Sequence, residues 1–184
     1  MDIEIDVTRH RIETDRLILR SWSDTDLDDF FEYASVEGVG EMAGWKHHKS
    51  IDVTRNILRN FISEKNIFAV VYRGNSKVIG SLGLHYSWAN QDNLYADLKI
   101  KEVGYVLSKD YWGRGLMPEA VSAIIDVCFS EYELDALTIG HFQSNDQSRR
   151  VVEKCGFIFV KQSEYYAKQL QETFQNMQYI LHRS

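Results

Sequence analysis

The chain has 184 residues, 44% of them apolar and 26% charged, with a formal net charge of −6. That length and apolar share predict one domain, residues 1–184, with a buried core, and an acidic balance without a lysine or arginine block argues against nucleic acid as the main partner. No apolar run reaches membrane-spanning length and the opening MDIEIDVTRH lacks a secretory core, so the expected location is the cytoplasm.

Leu17, Ile18 and Leu19 predict a short strand after the acidic opening. Ser23, with Asp26 three residues on, reads as the cap of a helix whose apolar face is Leu27, Phe30, Phe31 and Ala34. Gly38, Gly40 and Gly44 break VEGVGEMAGWKHHK into a mobile loop. Ser50 caps a second helix with Ile57, Leu58, Phe61 and Ile62 facing inward. Phe68–Tyr72 and Val78–Tyr86 read as a hairpin about Gly74 and Asn75, and Ala89–Asp97 as a polar connection. After the central segment come a strand through Leu137 and Ile139, then a helix opened by Asn145 and closed by Gly156. Phe157–Val160 and Gln178–Leu181 read as the last strands, while Ser163–Gln175 has no turn residue and a composition that suits a helix equally well. Cys128 and Cys155 have no metal or redox spacing and read as reduced packing residues.

The central segment, EVGYVLSKDYWGRGLMPEA from Glu102 to Ala120, carries the chemistry. Val103, Tyr105 and Leu107 alternate with their neighbours as in a strand, Gly113 and Gly115 make a tight loop, and Pro118 opens a helix with the stripe Ala120, Val121, Ile124, Ile125, Cys128 and Phe129. Strand, glycine loop and helix start together expose amides to an anion, with Arg114 beside them, and predict a phosphate-bearing ligand. A P-loop is excluded, because Leu116, Met117 and Pro118 follow Gly115 where Lys and Ser or Thr are needed. A dinucleotide fingerprint needs a third glycine at Pro118, which disfavours a nicotinamide site.

EVGYVL followed by YWGRGLMPEA resembles the coenzyme A-binding core of the GNAT acyltransferases, in particular the ribosomal-protein-alanine N-acetyltransferase branch. NDQSRRVVEKCGF (Asn145–Phe157) resembles that branch's Asn-x-x-Ser helix, and ETDRLILRSW (Glu13–Trp22) its opening strand. The resemblance implies an α/β (α+β) fold with a mixed, mostly antiparallel sheet of about six to seven strands flanked by about four helices. It also implies that Ser163–Gln175 is a hairpin, and that the enzyme transfers acetyl from acetyl-CoA directly to a primary amine, such as a protein N-terminus.

By the same resemblance, Val106, Leu107 and Ser108 lie against pantetheine, and the loop Trp112, Gly113, Arg114, Gly115, Leu116 and Met117 holds the pyrophosphate. Trp112 and Met117 depart from the residues usual there, and Glu119 is a discordant charge that has to point away from phosphate. Asn145 caps its helix and also bonds the coenzyme arm. Glu102 is the candidate base, acting through water, and Ser148 the candidate acid toward the thiolate. The family's more widespread acid, a tyrosine, is replaced here by Val152, which leaves the acid open. Trp45, His47, His48 and His85 are the candidate acceptor-binding residues, and no metal is expected. A small-amine acetyltransferase and a non-catalytic acyl-CoA-binding module remain alternatives. Oligomeric state is unreadable, with a dimer allowed and the 163–175 segment a candidate interface.

Overall fold

The computed structural model describes residues Met1–Ser184. Asp26 returns the Ser23 cap by accepting from the Ser23 amide at 2.8 Å, and α1 (Leu27–Ala34) follows, burying Phe30, Tyr33 and Ala34. The Ser50 side chain accepts from Val53 N–H to start α2 (Ile51–Glu64). Gly115, with φ +74, precedes α3 (Leu116–Ser130), and Asn145 accepts from Ser148 N–H to begin α4 (Asp146–Lys154), which Gly156 ends at φ +80.

Eight strands form one sheet in the order β1 (Ile12–Glu13), β2 (Leu17–Ser21), β3 (Ile67–Tyr72), β4 (Lys77–His85), β5 (Ile100–Leu107), β6 (Ala136–Phe142), β8 (Glu172–His182) and β7 (Ile158–Ala167). All neighbours are antiparallel except β5 and β6, which the α3 crossover makes parallel. The sheet has one strand more than expected, the two-residue β1. The stretch at 163–175 is a hairpin, its turn accommodated by Gln171 at φ +55 rather than by glycine or asparagine.

The sheet separates two apolar layers. One joins Leu17, Leu19, Val103 and Leu137 to α3 and α4 through Ala120, Val121, Ile124 and Val152; the other joins Ile67, Ala69 and Val78 to α1 and α2 through Phe30 and Leu58. No helix is long and apolar enough to cross a membrane.

The ladder between β5 and β6 stops at Val103–Ile139, although β5 stays paired with β4 to Leu107 and β6 stays paired with β8 to Phe142. The sheet therefore opens into a V between Gly104–Leu107 and Gly140–Phe142. That opening positions the site.

Candidate active site

Backbone phase decides which groups of β5 face the opening. Ser108 N–H donates to Ile79 O at 2.8 Å, and antiparallel pairing alternates, so the amides of Val106 and Gly104 also turn toward β4. The amides of Tyr105 and Leu107 face the side that β6 has left. Of Val106, Leu107 and Ser108, all expected against pantetheine, this phase takes the Ser108 amide out of the opening. Ser108 is spent on β4 and does not line the cavity; Val106 and Leu107 do, and the Leu107 N–H has no protein acceptor.

At the wide end of the V lies the glycine loop. Gly113 and Gly115 both have φ +74, a left-handed conformation that aims successive amides the same way. The N–H groups of Gly113, Arg114, Gly115, Leu116 and Met117 donate to no backbone or side-chain acceptor. Such a run of bare donors at the positive end of α3 is an anion cradle. Trp112 lines the cavity while its indole N–H donates to Leu107 O at 2.8 Å, tying loop to strand. The Arg114 side chain, expected beside the phosphates, lies 5.0 Å over the Tyr111 ring and outside the cavity lining.

The discordant Glu119 is held away from the cradle by a residue that sequence reasoning missed. Arg16 donates to Glu119 through its backbone N–H (2.9 Å) and its side chain (2.7 Å), and Thr14 Oγ1 adds a third hydrogen bond at 2.6 Å. Partial burial works against the charged carboxylate, but these bonds win and depress the Glu119 pKa. The same guanidinium donates to the carbonyls of Arg114 (2.8 Å) and Gly115 (3.3 Å), so it neutralises the carboxylate and pins the loop. The signal was the arginine in the opening-strand motif, but its partners lie about a hundred residues away.

Across the V, Ser148 is 8% exposed, with its Oγ 2.6 Å from the Tyr105 hydroxyl. Burial raises the Tyr105 pKa, partly opposed by that bond, so the phenol stays protonated. Val152, where the family carries its tyrosine, is fully buried in the core. Tyr105 brings a phenol to Ser148 from the strand instead. Asn145 lines the cavity, accepts from Ser148 N–H and donates to Met42 O at 3.4 Å.

On the opposite sheet face Glu102 stands directly across from His85. Burial raises the Glu102 pKa, against weak donation from Trp88 N–H (3.4 Å) and the Thr138 hydroxyl (3.5 Å). The His85 ring folds back over Gly83 and Gly104, where an added Cβ would come within 2.3 and 3.1 Å of it. Although His85 is solvent-exposed, crowding by protein depresses its pKa, as does Lys101, with Glu64 acting the other way. The imidazole is therefore neutral at pH 7.

Trp45 also lines this face, but the two histidines beyond it do not. His47 donates its backbone N–H to Glu41, with Nδ1 2.8 Å from the same carboxylate oxygen, and Gly38 N–H donates to the other, which gathers the loop expected to be mobile. His48 is buried, hydrogen-bonded to the Thr54 hydroxyl and packed behind Trp45. Adjacent residues in this turn point apart, and neither His47 nor His48 lines the cavity; both support its wall.

The cradle, the Tyr105–Ser148 pair, Glu102 and His85 all border one cavity of about 700 Å³. Residues 16–158 match the family model described as "Acetyltransferase (GNAT) domain". The Bacillus subtilis protein named "Uncharacterized N-acetyltransferase YoaA" is 27% identical over 151 residues, which cover 79% of this chain and 81% of that protein. The solved acetyltransferase (GNAT family) from Bacillus anthracis superposes with a TM-score of 0.81 at 21% identity, covering 94% of this chain and 98% of that one. The ribosomal-protein-S5-alanine acetyltransferase from Vibrio fischeri superposes with a TM-score of 0.68 at 19% identity, covering 92% and 95%. With the family model spanning most of its length, this chain belongs to the GNAT acetyltransferases and is an acetyl-CoA-dependent N-acyltransferase.

Proposed function

We propose that the chain, as a single cytoplasmic acetyltransferase domain, moves acetyl from acetyl-CoA directly to a primary amine within a ternary complex, with no acyl-enzyme between. One observation carries this reading: a bare-amide cradle and a carboxylate of raised pKa border the same cavity at the V in the sheet. The amides of Gly113–Met117 bind the pyrophosphate, with Asn145 on the coenzyme arm. Leu107 presents its unpaired N–H to pantetheine, which lies along this edge in the manner of a strand while the Leu107 carbonyl stays with the Trp112 indole.

Tyr105 N–H, the first β5 amide past the paired stretch, donates to the thioester oxygen and to the oxyanion that forms as the amine attacks. Glu102 takes the amine's proton through water, and a raised pKa makes it a better base near neutrality than an ordinary carboxylate. The tetrahedral intermediate then expels the thiolate. Ser148 passes it a proton, and the hydroxyl pair Tyr105–Ser148 regains one from water, so the phenol ends protonated.

The acceptor is an amine of a small molecule or of a protein N-terminus, the latter following the likeness to the Vibrio fischeri protein. A thermal-shift series with acetyl-CoA, NAD and ATP tests the ligand class: at a hundredfold excess over Kd, acetyl-CoA alone adds about 2.7 kcal/mol of stability. Stabilisation by NAD or ATP instead overturns the reading. Acetyl transfer by the wild type and its loss in Glu102→Gln, with coenzyme binding retained, separates an enzyme from a binding module.

A further inference from the structure

The acceptor side of the cavity is walled by apolar and aromatic surface. Ile67 of β3 and Phe61 of α2 form its floor, with Met42 and Trp45 from the preceding loop and Tyr165 from β7. Glu102 is the only carboxylate among all the lining residues, and the lining Arg150 and Lys154 belong to α4 at the coenzyme end. Glu64, near enough to influence His85, stays outside the lining. An overall charge of −6 has therefore not been gathered here.

The rim adds a separate observation. Met42, Tyr86 and Tyr165 are 45%, 52% and 45% exposed, and all three line this cavity. Apolar side chains exposed singly mean little, but several converging on one mouth mark a surface that a ligand covers. The aromatic wall is also set in advance. Trp45 lies so close on Gly40 that a Cβ there would be 2.1 Å from its ring, and His48 backs it at 5.1 Å between centroids. Tyr165 is seated on Gly44 and Phe142. A wall fixed in this way holds an apolar body with little ordering cost.

We infer that the acceptor is a primary amine bearing one positive charge on an apolar or aromatic body, an inference that rests on the transfer activity proposed above. One carboxylate matches one ammonium. A second ammonium would lose part of its water with no anion to replace it, and aromatic faces return only part of that cost, which disfavours polyamines. An amino-sugar would bury many hydroxyls where Ser81, Asn176, His85 and the hydroxyls of Tyr86 and Tyr165 are the polar groups at hand, fewer than its own. Two sources share the chosen chemistry: a small arylalkylamine, and a polypeptide N-terminus whose first residues are apolar.

The test compares kcat/KM at saturating acetyl-CoA for 2-phenylethylamine, a peptide opening Ala-Phe-Leu, spermidine and kanamycin. The expected result is that phenylethylamine or the apolar peptide exceeds spermidine and kanamycin by about tenfold or more, the better of the two identifying the source. Met42→Glu, at an exposed position that tolerates the change, should raise turnover of spermidine and lower that of phenylethylamine. Tyr165→Ser should raise KM for phenylethylamine about fivefold with KM for acetyl-CoA unchanged. Wild-type preference for spermidine or kanamycin overturns this inference and leaves the transferase reading intact. Stabilisation by acetyl-CoA without transfer to any amine overturns both.

Discussion

Glu102 is held in a state that costs stability and serves reactivity. Its folded pKa lies above the ordinary value of 4.5, so the folded protein binds that proton more tightly than the unfolded chain does. Stability from this group is therefore lost as pH rises from the ordinary carboxylate value through the raised one. Glu102→Gln removes the ionisation and should leave the melting temperature at pH 7 equal or higher, while kcat falls about 10²–10⁴-fold, as loss of a general base does. In the wild type, the acid limb of the kcat/KM profile should lie above pH 4.5 and vanish in the variant. Tyr105→Phe makes a complementary prediction. It should lower kcat about tenfold or more with little change in KM for acetyl-CoA, and Ser148→Ala added to it should cost little further, because the two hydroxyls act as one path. Full additivity of the two changes in steady-state kinetics would break the pair. Glu102 and Ser148 stand out as motif positions in the sequence. The 2.6 Å contact between Tyr105 and Ser148 does not, because it joins side chains 43 residues apart from a strand and a helix.

At the scale of elements, alternating hydrophobicity places the side chains of β5 but is silent on which edge its amides use. Of the residues expected against pantetheine, Val106 and Leu107 line the cavity and Ser108 does not, because the Ser108–Ile79 bond turns its amide to β4. The β7–β8 hairpin was legible only through the family resemblance and not from its residues: its turn puts Gln171 at φ +55, where glycine or asparagine would have announced it. Gln171→Gly should therefore stabilise the protein by about 0.5–1 kcal/mol in urea denaturation, since glycine adopts that conformation without the Cβ penalty. The clamp joining β2's approach to α3 gives another prediction. Arg16→Ala leaves Glu119 unneutralised at the cradle and two loop carbonyls without their donor. KM for acetyl-CoA should rise about tenfold with kcat little altered, and Glu119→Gln in the same chain should recover part of it.

Across the whole molecule, one departure organises everything: β6 leaves β5 after Val103, and the gap connects the two sheet faces. In the proposed reaction the coenzyme occupies the α3–α4 side and the acceptor the Glu102 side, and the transferred group passes between them. Hydrogen exchange should report this plan directly. Acetyl-CoA should slow exchange at Tyr105, Leu107 and Gly113–Met117, and leave the outer strand β7 unchanged.

The cradle has a practical consequence for the bench. Five donors without protein partners at the head of α3 do not distinguish a nucleotide's diphosphate from any small oxyanion of similar size. Inorganic phosphate, sulfate and citrate used as buffers or precipitants will compete for them, so initial rates recorded in those salts will understate the enzyme's appetite for its donor, and the deficit will grow with buffer strength.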